Sequence, residues 1–304
     1  MARIAVVGAT GLVGERFLRV LEERNFPVDE IFLFSTGKRK REVYFKGEKH
    51  PVLPPLEIPE VDIALFSAGE TVARELAPLF KEKGAVVVDN SSAFRLEPDV
   101  PLVVPEINPE DVKLHKGIIA NPNCSTIIML LPLYPLHLRW KIKRIIASTY
   151  QSVSGAGRDE LEKLERGEEY RDEVIPWIGE EFEDGYTKEE NKMLYETRKI
   201  MHEPEIMVEA TCVRVPVPYV HSLSVTVEFE KKPDPEEAVE ILKKAPGVRV
   251  EERKLREIKD RDEVFVWRIR YSRVFKKGLS MWVAGDNLRK GAATNAVQIA
   301  ELLT

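Results

Sequence analysis

The chain opens Arg3-Ile-Ala-Val-Val7-Gly8-Ala-Thr-Gly11-Leu-Val-Gly14, and this stretch decides the first fold. An apolar strand over Arg3–Val7 runs into three glycines. Leu12–Glu23 then carries Val13, Phe17, Leu18 and Leu21 at helical spacing. Glycines between a strand and a helix let the backbone turn tightly and approach a pyrophosphate, which the helix N-terminus stabilises. The spacing is GxxGxxG rather than GxGxxG, a variant of the dinucleotide fingerprint.

Outward from this turn the rhythm continues. Short apolar strands are predicted at Ile31–Phe34, Asp62–Phe66, Ala85–Asp89 and Gly117–Ala120, with a helix from about Thr71 to Lys83. Strands of this kind alternating with helices mean a parallel sheet covered on both faces. Past about residue 140 the strand-like segments lengthen and alternate: Arg144–Gln151, Ile206–Val215, Ser222–Glu230, Val264–Tyr271 and Leu279–Ala284. Charged helical stretches lie between them at Asp159–Gly167, Lys188–His202 and Pro235–Lys244. That texture predicts a mixed or antiparallel sheet with helices on one side. The expected fold class is α/β. An N-terminal Rossmann-type doubly wound parallel sheet covers residues 1–121, and a second α+β domain with a mixed or antiparallel sheet covers 122–286. A last helix within 287–304, spanning Leu288–Leu303, is expected to return to the first domain.

Composition narrows the function. The 304 residues carry a formal net charge of −5, with 43% hydrophobic and 32% charged residues. This excludes a disordered chain, a collagen-like fibre and a disulfide scaffold, and without a net positive field it argues against nucleic acid as a partner. Two cysteines, Cys124 and Cys212, suit a reducing cytoplasm. The N-terminus lacks the pattern of a signal peptide. The most apolar run, Ile127–Leu138, holds Pro132, Pro135 and His137 and is too short for a bilayer, so a buried helix and no membrane association are expected. The heavy Glu, Lys and Arg load suits a thermophile's ion-pair-rich surface.

The second predicted strand ends without the acidic residue that would bond the ribose 2′-hydroxyl of NAD. Phe34 is followed instead by Ser35-Thr36-Gly37-Lys38-Arg39-Lys40-Arg41. Hydroxyls and cations there suit the 2′-phosphate of NADP; the plainer reading is a solvated basic loop. In Asn121-Pro-Asn-Cys124-Ser-Thr126, Cys124 stands near the start of the apolar helix, where free N–H groups and the dipole favour a thiolate. Cys212 lies mid-strand and reads as packing. Arg214 closes one strand and His221 begins another across Pro216 and Pro218, so both can point to one site. A histidine titrates near neutrality and can exchange a proton with a thiol; a structural histidine is the plainer reading. Glu189 and Lys192 share a helix face, as a surface ion pair would. Arg95 ends the polar turn Asp89-Asn-Ser-Ser-Ala-Phe-Arg95, where open α/β sheets bind ligands, and can hold an anion bidentately. No metal site is expected.

Taken in order, these motifs resemble the aspartate-β-semialdehyde dehydrogenase family over nearly the whole chain. The resemblance rests on GATGLVG at 8–14, Phe66-Ser-Ala-Gly69, the turn ending at Arg95, VVPEIN at 103–108 and NPNCST at 121–126. It continues through Gln151-Ser-Val-Ser-Gly-Ala-Gly157, Glu189-x-x-Lys192, Arg214 with His221, and Gly285-Asp-Asn-Leu-Arg-Lys-Gly291. It implies NADPH-dependent reductive dephosphorylation of L-aspartyl-4-phosphate to the semialdehyde and phosphate, through a cysteine thioester, in aspartate-family amino-acid biosynthesis. Cys124 would be the nucleophile, His221 the general acid/base, and Gln151 the group that orients the acyl intermediate. Arg214 would bind the substrate carboxylate, with Glu189 near its amino group. Arg95 and Lys192, with Asn123, would hold the phosphate. The resemblance further implies cofactor contacts from Gly8, Thr10, Gly11, Leu12, Val13, Ser35, Thr36, Lys38, Arg39, Ser67, Ala68, Gly69, Ser154, Gly155 and Asn287. It implies a homodimer or homotetramer assembled through the second domain's sheet.

Two residues depart from the pattern: Val220 and Glu70 stand where the family generally carries glycine, whose φ range they resist. The chain is also clipped around Ser35–Arg41 and near residues 158–190. The nearest alternatives are N-acetyl-γ-glutamyl-phosphate reductase, whose motif resembles Asn-Pro-Gly-Cys-Tyr where this chain flanks Cys124 with Asn123 and Ser125, and a CoA-thioester reductase. A non-catalytic nucleotide-binding relative should have lost Cys124 or its partners.

Overall fold

The protein is described by a computed structural model over residues 1–35 and 42–304. It divides into two compact units, one of Met1–Pro122 with Ala292–Thr304, the other of Asn123–Gly291.

In the first unit, β1 (Ala2–Val7) leads through the glycine turn into α1 (Leu12–Glu23), which returns the chain to β2 (Val28–Phe34). A hairpin of β3 (Val43–Phe45) and β4 (Glu48–His50) turns at Lys46 and Gly47, both at positive φ. Then come β5 (Val52–Leu53), β6 (Ile63–Phe66), α2 (Glu70–Glu82), β7 (Val86–Asp89) and β8 (Ile118–Ala120). The sheet order is β5-β2-β1-β6-β7-β8 with every pairing parallel. Alternation along β1 sends Ile4 and Val6 to one face, under Phe17 and Leu21 of α1 and Ala296, Val297 and Ala300 of the C-terminal helix Thr294–Glu301. Ala5 and Val7 go to the other, under Ala73, Ala77 and Phe80 of α2. Phe80 is fully buried and meets the rings of Phe66 and Phe34 edge-on at 5.3 and 6.0 Å, a contribution of about 1.5–3 kcal/mol for its burial. The strand order reverses at β1, whose last residue Val7 is the register partner of Phe66. The ends of β1 and β6 are therefore the topological switch point where such sheets bind ligands.

The second unit opens with α3 (Cys124–Trp140), most of whose residues are buried although the helix carries Pro132 and Pro135. It continues with β9 (Ile142–Gln151), α4 (Arg158–Arg166), α5 (Lys188–Met201), β10 (Met207–Arg214) and β11 (His221–Phe229). After these come α6 (Pro235–Lys244), β12 (Val248–Val250), α7 (Leu255–Ile258), β13 (Val264–Tyr271) and β14 (Gly278–Gly285). The sheet order is β10-β9-β11-β14-β13-β12. It is mixed, because β10 runs parallel to β9 and β12 to β13 while the other pairings are antiparallel. Helices α3, α5 and α6 cover one face. On the other, Ile146 and Tyr150 are exposed and Tyr150 stacks on Trp282 at 5.2 Å.

This topology assembles a site. The parallel strands β9 and β10 end together, with Gln151 opposite Arg214, and the antiparallel β11 begins beside them at His221, opposite Gly285.

Three local differences from the sequence reading have physical reasons. Strand β2 starts at Val28 rather than Ile31, because its exposed residues Asp29 and Glu30 masked an edge that still pairs with β1. The expected helix Leu288–Leu303 is interrupted. Arg289–Ala293 forms a π-turn, and regular α-helix starts only at Thr294, after the Asp286 carboxylate has accepted the N–H groups of Leu288 and Arg289. The hairpin of β3 and β4 was not foreseen, since its strands are too short to carry a period.

Candidate active site

At the switch point of the first unit, Gly8 takes φ +93°, and a Cβ there would lie 2.4 Å from the carbonyl oxygen of Ser67. Only glycine permits that approach. Gly14 is as tightly held, its missing Cβ falling 2.1 Å from the Gly8 oxygen. Gly11 is the N-cap of α1, and no side chain caps the helix there, which leaves Leu12 and Val13 at the head of a helix suited to an anion. The hydroxyls of Thr10 and Ser35 lie 2.9 Å apart and link this turn to the end of β2. Ser67, Ala68 and Gly69 form the facing turn; Gly69 caps α2 at φ +86° with open space where a Cβ would stand. These residues fit a dinucleotide's pyrophosphate and ribose. Thr36, Lys38 and Arg39 lie outside the described residues. Glu70 is the first residue of α2 and is unstrained there. Arg95 is buried in the same unit, its guanidinium donating to the carbonyls of Asn121 and Asn90, each at 2.9 Å.

In the second unit, Asn123 is the N-cap of α3, its Oδ1 accepting from the N–H groups of Ser125 and Thr126. Cys124 is thereby the first residue of the helix, and it is partly exposed. Gly291 lets the chain pass close by, since a Cβ there would sit 2.9 Å from the Cys124 Cβ. From behind, α5 holds this turn with two carboxylates. Glu196, fully buried, accepts the Asn123 N–H at 2.6 Å, and Glu189 accepts the Asn123 Nδ2 at 2.8 Å. A third, Glu190, closes a capping box with Thr187 and accepts the N–H of Cys212.

Glu189 also accepts from Gln151 Nε2 at 3.2 Å and pairs with Lys192 at 3.0 Å. Burial alone would raise its carboxyl pKa. The Lys192 charge and the hydrogen bonds from Asn123, Lys192 and Gln151 overcome that and bring it down to about 2. A folded pKa below the unfolded value contributes stability that is full above the unfolded pKa and lost as pH falls through the folded one. Wild-type protein should therefore lose on the order of 3 kcal/mol between about pH 5 and pH 2 that Glu189→Gln does not lose. Chemical denaturation of both across that range tests it; parallel curves would contradict the pairing.

Arg214 is buried at the end of β10 and donates from Nη1 to the Ser152 carbonyl at 2.7 Å. Burial lowers its pKa, while the charges of Cys124 and Glu189 work against that and mark both as neighbours. His221 is fully buried. Desolvation, reinforced by the Arg214 charge, brings its pKa down to about 3, so its ring is neutral. Its Nδ1 faces the Ser152 N–H at 3.1 Å, and its Nε2 has no hydrogen-bond partner among the described residues. A Cβ on Gly155 would fall 3.1 Å from Arg214 Nη1 and 3.2 Å from His221 Nε2, so this glycine keeps a side chain from crowding the guanidinium and the ring. Ser154 and Asn287 bond to each other beside it.

Val220 does adopt the conformation that glycine favours, at φ +75°. A β-branched residue there is strained by about 1–3 kcal/mol. Its side chain packs with Ile258, Phe265 and Ala284, and burial of about 1.5–3 kcal/mol offsets the strain.

The second unit thus brings together Asn123, Cys124, Gln151, Glu189, Lys192, Arg214 and His221, with Ser154, Gly155 and Asn287 at its edge. Sequence reasoning did not single out Ser152, Glu190 or Glu196. Cys212 is buried against Met193, with its thiol pKa pushed up by burial. Among the described residues no group of three His, Cys, Asp or Glu is placed to hold a metal ion, and no helix is long and apolar enough to cross a membrane.

Two family models match the chain: a semialdehyde dehydrogenase NAD-binding domain over residues 3–115 and a semialdehyde dehydrogenase dimerisation domain over 133–290. The chain is 54% identical to aspartate-semialdehyde dehydrogenase of Aquifex aeolicus, over 99% of this chain and 97% of that protein. It is similar in structure to aspartate semialdehyde dehydrogenase II of Vibrio cholerae complexed with ASA, with a TM-score of 0.97 and 42% identity over 100% of this chain and 98% of that one. It is also similar to the Candida albicans enzyme solved with NADP, with a TM-score of 0.79 and 27% identity over 100% and 98% of the two chains.

Proposed function

Because the chain belongs to the aspartate-semialdehyde dehydrogenase family, we propose that it catalyses the reductive dephosphorylation of L-aspartyl-4-phosphate to L-aspartate-4-semialdehyde and phosphate. The observation that carries this reading is the meeting of Cys124, Gln151, Arg214 and His221 at one end of the second sheet, with Glu189 and Lys192 behind them.

The Cys124 sulfur attacks the acyl carbon, and phosphate leaves with the bonding pair of its bridging oxygen. Capture as a thioester splits acyl transfer from reduction, each easier than a concerted step. Gln151 orients the acyl oxygen, and His221 handles the proton at that oxygen. Arg214 holds the substrate carboxylate in a charge-assisted fork, and Glu189 offers its carboxylate to the amino group. Lys192 and Asn123 stand for the phosphate. The glycine turns of the first unit, with Thr10, Ser35 and Ser67, would hold NADPH, which supplies the hydride when bound. Ser35 and the cations of the following segment favour the 2′-phosphate. The exposed aromatic face of the second sheet, with Tyr150 stacked on Trp282, joins two copies into a dimer or a tetramer built from it.

The reverse reaction gives the test. Aspartate semialdehyde should reduce NADP only when phosphate is present, and NADP should be preferred over NAD by about 10–100-fold, the worth of one or two charge-assisted hydrogen bonds. Folded protein that binds NADP yet gives no turnover would overturn the substrate assignment. Equal rates with NAD would overturn the cofactor preference alone.

A further inference from the structure

The two groups that meet the head of the substrate ride on different elements. Glu189 stands in the first turn of α5, and Arg214 ends β10 opposite Gln151. An ammonium and a carboxylate on one carbon fit between them only if α5 and β10 keep a fixed offset. Strand β10 lies at the end of the sheet order, so its outward N–H groups have no next strand to receive them. Two of them are matched by other means. The Arg214 N–H goes to the Ile175 carbonyl at 2.8 Å, and the Cys212 N–H goes to Glu190 Oε1 at 2.9 Å.

Glu190 uses its other oxygen at the head of its own helix. Oε2 accepts the Thr187 N–H at 2.8 Å, and the Glu190 N–H donates to Thr187 Oγ1 at 3.3 Å. One buried carboxylate thus closes the start of α5 and fastens it to β10. A turn further on, Met193 meets the Cys212 sulfur at 3.6 Å. Cys212 lies two residues before Arg214 and shares its face of the strand. Glu190 is the chain neighbour of Glu189. A short path from the ammonium site to the carboxylate site therefore runs through Glu189, Glu190, Cys212 and Arg214.

We propose that Glu190 is a positioning residue that sets the spacing between Glu189 and Arg214, and through it the preference for a free α-amino acid head. The proposal deepens the function given above and rests on it for the roles of Glu189 and Arg214. A carboxylate suits the task because it offers two acceptors to two N–H groups. Glutamine has the same shape and only one oxygen. Its NH2 group would have to face either the Thr187 N–H or the Cys212 N–H, donor against donor. The first turn of α5 then parts from β10 and takes Glu189 with it. A substrate that uses both groups loses more than one that uses Arg214 alone.

The test compares wild type, Glu190→Gln and Thr187→Ala on aspartate semialdehyde and on succinic semialdehyde, the same chain without the amino group, with NADP and phosphate. In Glu190→Gln the KM for aspartate semialdehyde should rise about 10–30-fold, with kcat within about threefold and the KM for NADP unchanged. The preference for aspartate semialdehyde over the amine-free aldehyde, in kcat/KM, should shrink about tenfold. Thr187→Ala removes the hydroxyl of the cap and leaves both Glu190 oxygens engaged, so it should lower the melting temperature and keep the preference. An unchanged preference in Glu190→Gln, an equal loss on both aldehydes, or the same loss of preference in Thr187→Ala would overturn the proposal. Hydrogen exchange on the full chain gives a reading that needs no substrate. The Cys212 amide should be protected in wild type and exchange faster in Glu190→Gln; equal rates would overturn the proposal as well. Failure of the functional reading would appear separately, as absent turnover by wild type with that amide still protected.

Discussion

Replacing Cys124 by serine is expected to lower turnover by about 10³-fold or more while leaving the fold and NADP binding in place. The size of the effect follows from the surroundings of the residue. A serine hydroxyl must lose its proton to become a comparable nucleophile, and it holds that proton far more tightly than a thiol does. Oxygen also forms an ester, a poorer hydride acceptor than a thioester. The fold should be indifferent to the change. Position 124 starts α3 behind an N-cap that serine does not disturb, and the close contact with Gly291 is made by Cβ, which both residues share. Steady-state rates with aspartate semialdehyde, NADP and phosphate, together with thermal melts of both proteins, would check this. Alkylation should agree: Cys124 should be modified and protected by substrate, while Cys212, buried with a raised pKa, should stay intact. Serine at 124 with turnover within tenfold of wild type would remove the thioester from the mechanism.

How much of this was legible in the sequence depends on the distance over which each feature is encoded. The dinucleotide turn is local. Val6 and Val7 alternate between faces, glycine follows where a Cβ would fall 2.4 Å from the Ser67 carbonyl oxygen, and the helix begins four residues on, all inside one short stretch. Cys124 at the head of an apolar helix is legible for the same reason. Helix α5 is the opposite case. Its charge pattern reads as a solvated surface, yet Glu189, Glu190 and Glu196 all turn inward, because Asn123, Gln151 and Cys212 come from other elements to meet them. No period in a sequence reports which charges will find buried donors. The fixing of His221 is equally non-local, since Ser152 and Asn287 stand 69 and 66 residues away from it. Val220 was visible as an exception to a glycine pattern. That it keeps the glycine conformation could be learned only from the apolar cluster that receives its side chain.

The same reasoning makes Arg214→Lys the most informative second variant, with kcat/KM for aspartate semialdehyde expected to fall by about 10²- to 10³-fold. Arg214 has two tasks that a guanidinium can perform at once. Nη1 donates to the Ser152 carbonyl at 2.7 Å, and the remaining N–H groups form a planar fork for a carboxylate. An ammonium keeps the charge but is a point donor on a flexible stem, and it cannot serve both partners in this geometry. Burial sharpens the difference, because a charge taken out of water must be matched by well-formed hydrogen bonds. Most of the loss should appear in KM, where the substrate carboxylate is held. A smaller part should appear in kcat, because the residue whose carbonyl Arg214 grips is Ser152, the same residue whose N–H faces His221. An unchanged KM would mean that Arg214 does not hold the substrate carboxylate. A loss in kcat alone would leave it only the second task, as a brace for the peptide that sets the histidine.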